Sequence, residues 1–480
     1  MPERSPTDFD LAIIGSGGGA FAAAIRATNL GKRVVMIERA TIGGTCVNTG
    51  CIPSKALLAA ADARHVTLDA RRFPGIDATA GPVDMTELID GKRALVETMR
   101  SEKYVDLIAD YGWDLRHADA AFAGTAENPA LEVTDADGKV DTIRAAHYLI
   151  ATGSSPSVPS IDGLADVDYL TSTTAMELDE VPESLLVLGG GYVALEQAQL
   201  FARLGSKVTM VVRSRLASAE EPEASRALMS VFADEGIRVL RKSTISSVRT
   251  DATTGEVVAL VSGIGGREDI RASKLLIATG RVPVTGGLNL AAVGVTTGEK
   301  GEVVVDSRLA SSNGRIWAAG DVTGHPEFVY VAAAHGALVV ENVFNNAGRE
   351  VDYRHLPRVT FTTPNLAAVG MTDKQARDAG IVCECRVLPL EYVPRALVNR
   401  DTRGFIKVVA DAQTGQIHGI TAVAQTAGEI AAAAVYIVSA GMTVSQVANL
   451  WSPYLTMAEG IKIACQSFTT DVSKLSCCAA

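Results

Sequence analysis

The sequence predicts an α/β fold: two similar strand–turn–helix units, each with its own parallel sheet, followed by an α+β domain. Three observations predict it. Residues Leu11 to Ala20 read as an apolar strand running into G-x-G-x-x-A, and Leu185 to Ala194 repeat the pattern. From about Leu356 there is no further glycine fingerprint. Instead come β-rich stretches (Val359 to Val369, Phe405 to Val409, Ile417 to Val423) and an Ala-rich helical region from Ala427 to Ala440. At 480 residues the chain is also too long for one ordinary core, so roughly two to four domains are expected.

In the first unit Gly15 makes the turn after the strand, Gly17 lets a pyrophosphate approach the backbone, and Ala20 permits close helix–strand packing. A second strand, Val34 to Ile37, ends in Glu38, at the distance where an acidic residue binds a ribose hydroxyl pair. The fingerprint alone is weak evidence; strand, helix and acid together point to a dinucleotide site. The second unit has Leu185 to Leu188 as strand, Gly189, Gly191 and Ala194 as fingerprint, and Val208 to Val212 as the next strand. Its acid is missing, and Arg213 and Arg215 follow the strand instead. A carboxylate would repel a 2′-phosphate whereas guanidinium groups bind one, so NADPH is favoured over NADH. The alternative is two solvated surface arginines; losing the acid as well as gaining them weighs against it.

Composition narrows the partners. Hydrophobic residues make up 47% and charged residues 21%, which suits a well-buried α/β protein and excludes wholesale disorder. The net charge of −11, with no long basic run, disfavours nucleic acid and anionic membranes. No apolar run reaches the roughly 18 residues of a membrane span. Leu11 to Ile25 resemble a signal core, yet they follow Asp8 and Asp10 and contain four glycines, as a strand–turn–helix would. A cytoplasmic protein is expected. There, seven cysteines are better read as catalytic or metal-binding than as a disulfide framework.

Two of them, Cys46 and Cys51, lie in Gly43-Gly-Thr-Cys-Val-Asn-Thr-Gly-Cys-Ile-Pro-Ser-Lys55. A dithiol in one short segment can hold two electrons as a disulfide and release them again. Five helical steps rise about 7.5 Å, beyond the roughly 4.4–6.8 Å between Cα atoms that a disulfide allows. A bent or unwound turn is therefore needed, which Gly50 can supply, and Pro53 is then expected to open a regular helix whose amides favour thiolate. The bland alternative is two buried structural cysteines; the flanking glycines, Pro53 and Lys55 weigh against it.

Two such units around a cysteine pair resemble the pyridine nucleotide–disulfide oxidoreductases over nearly the whole chain. Tyr148-Leu-Ile-Ala-Thr-Gly-Ser154 and Leu275-Leu-Ile-Ala-Thr-Gly-Arg281 look like that family's crossover segments, and Ile316-Trp-Ala-Ala-Gly-Asp321 like its second flavin motif. The resemblance implies two Rossmann-like domains, for FAD and NADPH, and a C-terminal dimerisation domain. The boundaries read as 1–155 with 281–355 for FAD and the dithiol, 156–280 for NADPH, and 356–480 for the dimerisation domain. It also implies roles: Asp321 on the ribityl chain, Thr45, Lys55 and Val329 lining the flavin, and Ala120 touching FAD through its backbone. Tyr192 matches a nicotinamide-side gate and Glu196 the ion-pair partner of Lys55.

Members that reduce organic disulfides carry a His-Pro-Thr segment whose histidine is the acid–base. Here the stretch reads Trp451-Ser-Pro-Tyr-Leu-Thr-Met-Ala-Glu459, with Ser452 in place of histidine and Tyr454 after Pro453. The seven histidines, His65, His117, His147, His325, His335, His355 and His418, all lie elsewhere. The chain ends with adjacent thiols at Cys477 and Cys478, which can deliver two soft thiolates to a soft metal ion; chalcogen or thiol relays and an inert tail are the alternatives. With both features the resemblance narrows to the members that reduce mercuric ion. It implies electrons passing from NADPH through FAD to Cys46 and Cys51, with Cys51 nearest the flavin and Cys46 the exchange thiol. Hg(II), arriving as thiol complexes, would be handed over by Cys477 and Cys478 of the partner subunit in a homodimer, with Tyr454 and Tyr192 flanking its path.

Many such members begin with a small metal-binding domain carrying its own C-x-x-C; with the fingerprint starting about a dozen residues after Met1, none is expected here. Cys383 and Cys385 would face one side of a strand as a possible ligand pair, though buried structural cysteines are the preferred reading. Cys465 reads as core. The rival functions are an atypical flavin disulfide reductase and a flavoprotein that sequesters soft metal without turnover.

Overall fold

The computed structural model describes residues 8–474, so Cys477 and Cys478 lie outside the described residues. The chain forms two compact units. One comprises Met1–Ala56, Glu87–Ser157 and Gly280–Val351; the other comprises Leu57–Thr86, Val158–Thr279 and Asp352–Ala480.

The first unit is built on a parallel sheet in the spatial order Asp114–His117, Val34–Glu38, Asp8–Ile14, Val140–Ile150, Ile316–Ala318. Leu11, Ala12 and Ile13 are fully buried and Ile14 nearly so. Such continuous apolar runs suit strands covered on both faces. The strand Val140–Ile150 also carries an antiparallel extension, Pro129–Thr134 and then Asp119–Gly124.

The second unit repeats this plan. Its parallel sheet runs Arg238–Arg241, Lys207–Val212, Ser184–Leu188, Lys274–Ile277, Tyr169–Thr171, beside an antiparallel meander of Thr244–Thr250, Val257–Gly263 and Gly266–Ala272. The same unit holds an antiparallel sheet in the order Pro357–Thr360, Asn365–Gly370, Ile417–Ala424, Phe405–Asp411, Cys383–Pro389. The single β-rich stretch expected from Val359 to Val369 is thus two strands, because a turn through Thr363–Pro364 reverses the chain. Helices Ala427–Ser439 and Glu459–Gln466 pack on this sheet through Ile430, Ala434, Ile461 and Cys465, which is buried in the core. Among the described residues no helix is long and apolar enough to cross a membrane.

Candidate active site

At the end of the strand Asp8–Ile14 the chain turns at Gly15, which has φ +103°; a Cβ there would lie 2.4 Å from the carbonyl oxygen of Ala151. Glycine is required for both reasons. Gly17 caps the helix Gly18–Asn29, and Ala20 inside it is fully buried. Beyond this turn lies a cavity of ≈ 310 Å³ bordered by Gly15, Glu38, Ala120, Thr152, Gly286 and Leu288. The Ser16 hydroxyl donates to Glu38 at 2.6 Å and the Ala40 amide to the other oxygen of Glu38 at 2.8 Å, so the carboxylate is fixed at the rim. A cleft with bare amides at a helix start and a fixed acid fits the adenosine-diphosphate half of a dinucleotide such as FAD.

Elsewhere in this unit the Ser154 hydroxyl donates to Asp321 at 2.7 Å and also accepts from Arg281 at 2.7 Å. Val329 opens the helix Val329–Phe344, and its Cγ2 would be 3.1 Å from a Cβ on Gly18. Asp321 and Val329 are thus placed by the segments that the sequence singled out.

The second fingerprint copies the first. Gly189 has φ +142°, and a Cβ there would lie 2.2 Å from the Ala278 carbonyl oxygen. Gly191 caps the helix Tyr192–Leu204, and Ala194 is fully buried. Arg213 is exposed. One Arg215 nitrogen donates to the carbonyls of Ser218 and Glu220, at 2.8 and 2.7 Å, while its Nη1 is buried with no hydrogen-bond partner. A buried guanidinium nitrogen left over in this way fits a phosphate oxygen, as NADPH would bring.

Cys46 and Cys51 lie on either side of a helix break. Cys46 belongs to the short helix Gly44–Asn48; Cys51 is the first residue of Cys51–Leu68. Thr49 closes the first by donating to Thr45 at 2.9 Å, and Ser54 begins the second by donating to Gly50 at 3.1 Å. A Cβ on Gly50 would come 2.9 Å from the Thr45 carbonyl, so the break depends on that glycine. The helix therefore opens at Cys51, two residues earlier than Pro53 suggested. Pro53 is tolerated as the third residue, since the amides of the first turn have no intrahelical partner.

This offset matters for the chemistry. At the first position of a long helix, the Cys51 sulfur sits where aligned amides favour thiolate. The Cys46 thiol is hydrogen-bonded to Cys51; that bond and burial push its pKa up, against the pull of Lys55. The two thiols are hydrogen-bonded to each other across the glycine break, the arrangement from which a disulfide can form and open.

The remaining candidates lie in the second unit. The Tyr192 hydroxyl donates to Glu220 at 2.7 Å, and Arg358 grips the same carboxylate at 2.8 and 3.0 Å. Burial, then the Glu220 charge, raises the Tyr192 pKa. Glu196 accepts the Phe361 amide at 2.9 Å. Tyr454 is exposed in the turn before helix Glu459–Gln466.

Sequence reasoning passed over Ser16, Glu220, Arg358 and Tyr104. Tyr104, whose pKa is raised by burial and then by Cys46 and Cys51, is the phenol within electrostatic reach of both thiols in the first unit. Cys383 and Cys385, read as buried, are instead half-exposed beside Asp373, because their strand is the outer edge of its sheet.

Comparison with known proteins agrees with this geometry. The pyridine nucleotide-disulphide oxidoreductase model matches residues 9–336, and the dimerisation domain of the same family matches residues 356–465. A mercuric reductase of Streptomyces lividans is 60% identical, covering 99% of each chain. Another, of Staphylococcus aureus, is 45% identical over 98% of this chain and 84% of its own. Among solved structures, the copper(II) complex of the HOCl-induced flavoprotein disulfide reductase RclA of Escherichia coli superposes with a TM-score of 0.85. It is 28% identical and covers 96% of this chain and 100% of its own. The chain belongs to the pyridine nucleotide-disulphide oxidoreductase family.

Proposed function

We propose that this chain uses NADPH to reduce Hg(II) to Hg(0), through FAD and the Cys46–Cys51 pair. The hydrogen-bonded dithiol at the helix break is the observation that carries this reading. The full-length likeness to mercuric reductases supports the metal as substrate. When bound, NADPH and FAD supply the two electrons of a hydride, and the proton left over goes to solvent.

Everything else is done by the chain. Gly15, Gly17, Ala20, Glu38 and Asp321 hold the flavin dinucleotide, with Thr45, Lys55, Ala120 and Val329 along it. Gly189, Gly191, Ala194, Arg213 and Arg215 hold the nicotinamide dinucleotide, and Tyr192 gates it. Cys51 offers the thiolate that faces the flavin, and Cys46 is the thiol that exchanges ligands with the incoming metal. As both sulfurs bond to Hg(II), the Cys46 proton leaves for water and the thiolates that carried the metal in are released. Two electrons then reach the metal, and Hg(0), which binds thiolates poorly, is released.

The chain has no histidine after His418. Reduction of an organic disulfide needs an acid for the leaving thiol, whereas a metal ion accepts electrons without one. Hg(II) arrives as thiol complexes in the cytoplasm of the cell, collected by Cys477 and Cys478 of the partner subunit in a homodimer. The test is NADPH oxidation with Hg(II) and excess small thiol, with evolved Hg(0) trapped and quantified. One Hg(0) per NADPH is expected. NADPH consumption without Hg(0), or equal turnover with glutathione disulfide or lipoamide, would overturn the reading.

A further inference from the structure

The strand Cys383–Pro389 forms the outer edge of the C-terminal sheet, paired on one side only, Cys383 opposite Asp411 and Cys385 opposite Val409. With side chains alternating across a strand, Cys383 and Cys385 project from the same face. They meet Asp373, the first residue of the helix Asp373–Asp378, which the Thr372 capping box sets in place. The two sulfurs and a carboxylate oxygen all lie within 4.8 Å of one another, and the Cys383 sulfur is 3.2 Å from Asp373 Oδ1. None of these residues has a part in the proposed reaction.

We propose that Cys383, Cys385 and Asp373 form a second binding site, for a soft divalent cation held by two thiolates. Size comes first. A cation bonded to sulfur at about 2.3 Å bridges atoms up to roughly 4.6 Å apart, which is the scale of this cluster. Softness follows from the donors, since two sulfurs select Hg(II), Cd(II) or Zn(II) over Mg(II) or Ca(II).

Charge selects the valence. Next to the thiols stands Asp373, which shares Lys407 with two further carboxylates, Glu221 and Glu223. Against them stand three cations: Lys407, which touches all three carboxylates at 2.9, 3.4 and 3.7 Å, Arg377 at 2.9 Å from Asp373, and Arg226 at 3.1 Å from Glu223. These charges pair off among themselves, while Asp411, opposite Cys383 on the neighbouring strand, adds a further carboxylate to the surroundings. Ionising both thiols would add two negative charges beside the Asp373 carboxylate, so the pair stays protonated until a cation bonds both sulfurs. A divalent cation offsets both thiolate charges, whereas a monovalent one offsets only one. Binding forms two metal–sulfur bonds and releases both thiol protons to water; no electron moves. Asp373, shared with Lys407 and Arg377, is the weaker third ligand.

The test needs no assumption about the reaction. In the reduced, FAD-loaded full chain carrying Cys46→Ser, Cys51→Ser, Cys477→Ser and Cys478→Ser, Cd²⁺ titration should give one equivalent with a thiolate-to-metal charge-transfer band. Adding Cys383→Ser/Cys385→Ser should abolish the band, and Asp373→Asn should weaken binding about tenfold while keeping it. A band that survives loss of both cysteines, or no band in the parent, overturns the proposal. In the unmodified chain, Cd²⁺ should protect Cys383 and Cys385 from alkylation, read by peptide mass spectrometry. Undiminished alkylation, or a Cys383–Cys385 disulfide that forms in preference to metal binding, would equally overturn it.

Discussion

The two glycine fingerprints use the same backbone and differ in what surrounds it. In each, the first glycine donates to the neighbouring strand: Gly15 to Ile37 at 2.8 Å and Gly189 to Val211 at 3.1 Å. In each, an alanine amide reaches back to the residue before that glycine, Ala151 to Ile14 and Ala278 to Leu188, both at 2.9 Å. This register makes Val212 the counterpart of Glu38, and Gly190 the counterpart of Ser16. In the first unit a hydroxyl and a carboxylate are bonded together at the cleft rim. In the second the pair is replaced by a glycine and a valine, and a Cβ on Gly190 would lie 2.6 Å from Val212 Cγ1. Removing the polar pair lets the loop after Val212 fold close, Ala217 donating to the Gly190 carbonyl at 2.8 Å, and brings Arg215 in. On the proposed reading, the two sites share how they meet a pyrophosphate and differ in how they read a ribose.

The sharpest break in the symmetry is the Cys46–Cys51 dithiol, which follows the first fingerprint and has no counterpart at the same place after the second. Cys51→Ala should lower Hg(0) evolution by at least about 10³-fold, because one of the two sulfurs that hold Hg(II) for reduction is gone. The flavin absorption spectrum should be unchanged, since the residues proposed to hold FAD, Gly15, Gly17, Glu38 and Asp321, are left intact. Metal-dependent Hg(0) release persisting in the purified variant would sink the dithiol mechanism.

The shared backbone can be broken one unit at a time. Alanine at Gly15 or Gly189 must take a left-handed conformation and push against a carbonyl oxygen, with no flexible side chain to give way. Gly15→Ala should yield chain without flavin. Gly189→Ala should keep its flavin and raise KM for NADPH by roughly 100-fold, about 2.7 kcal/mol. Loss of flavin from the Gly189 variant instead would show that the two clefts are not separable in this way.

The fingerprints and the dithiol were legible in sequence because each imposes a residue type on one local stretch: glycine where a carbonyl crowds the turn, cysteine pairs where electrons are held. Spacing singled out Glu38 and the Cys383–Cys385 pair, but the bond from Ser16 to Glu38, the Val212 equivalence and the place of Asp373 beside the two cysteines were not legible. Each depends on strand register or on segments brought together by a sheet, and spacing along the chain carries no trace of either. Pro53 misled for a related reason. Proline marks the first turn of a helix but not which residue of that turn, and here the residue that matters is Cys51.

A smaller asymmetry concerns pH. In the first unit His335 is 1% exposed, and its Nδ1 accepts the Gly320 amide at 3.2 Å, beside the loop that carries Asp321. Burial, and to a lesser extent His325, lowers its pKa from 6.5 to about 4. Unfolded chain thus binds more protons than folded chain between those values. The neutral ring's contribution is complete above about pH 6.5 and is lost as pH falls toward 4, on the order of 3 kcal/mol. His335→Gln keeps an acceptor for Gly320 without a titrating group, so unfolding midpoints followed by flavin fluorescence should lose most of that acid dependence. An unchanged pH profile would assign the acid sensitivity to other groups.

The smallest expected effect tests the difference in ribose reading itself. Arg215 does two jobs: one nitrogen ties the loop by bonding Ser218 and Glu220, and the buried Nη1 is left for an anion. Arg213, exposed on the same loop, adds charge without a fixed contact. NADPH should accordingly exceed NADH in kcat/KM by about tenfold, roughly 1.4 kcal/mol, a modest demand on charge-assisted bonds to a phosphate. Arg213→Ala/Arg215→Ala should bring the two cofactors within about twofold by weakening NADPH, and should also cost NADH a little because the loop loses its tie. Arg213→Ala alone should lower only the NADPH value, and that loss should shrink as salt is raised, as expected for an exposed charge. Full discrimination in the double variant would mean that the 2′-phosphate is held elsewhere, and that replacing Ser16 and Glu38 with Gly190 and Val212 serves packing and not cofactor choice.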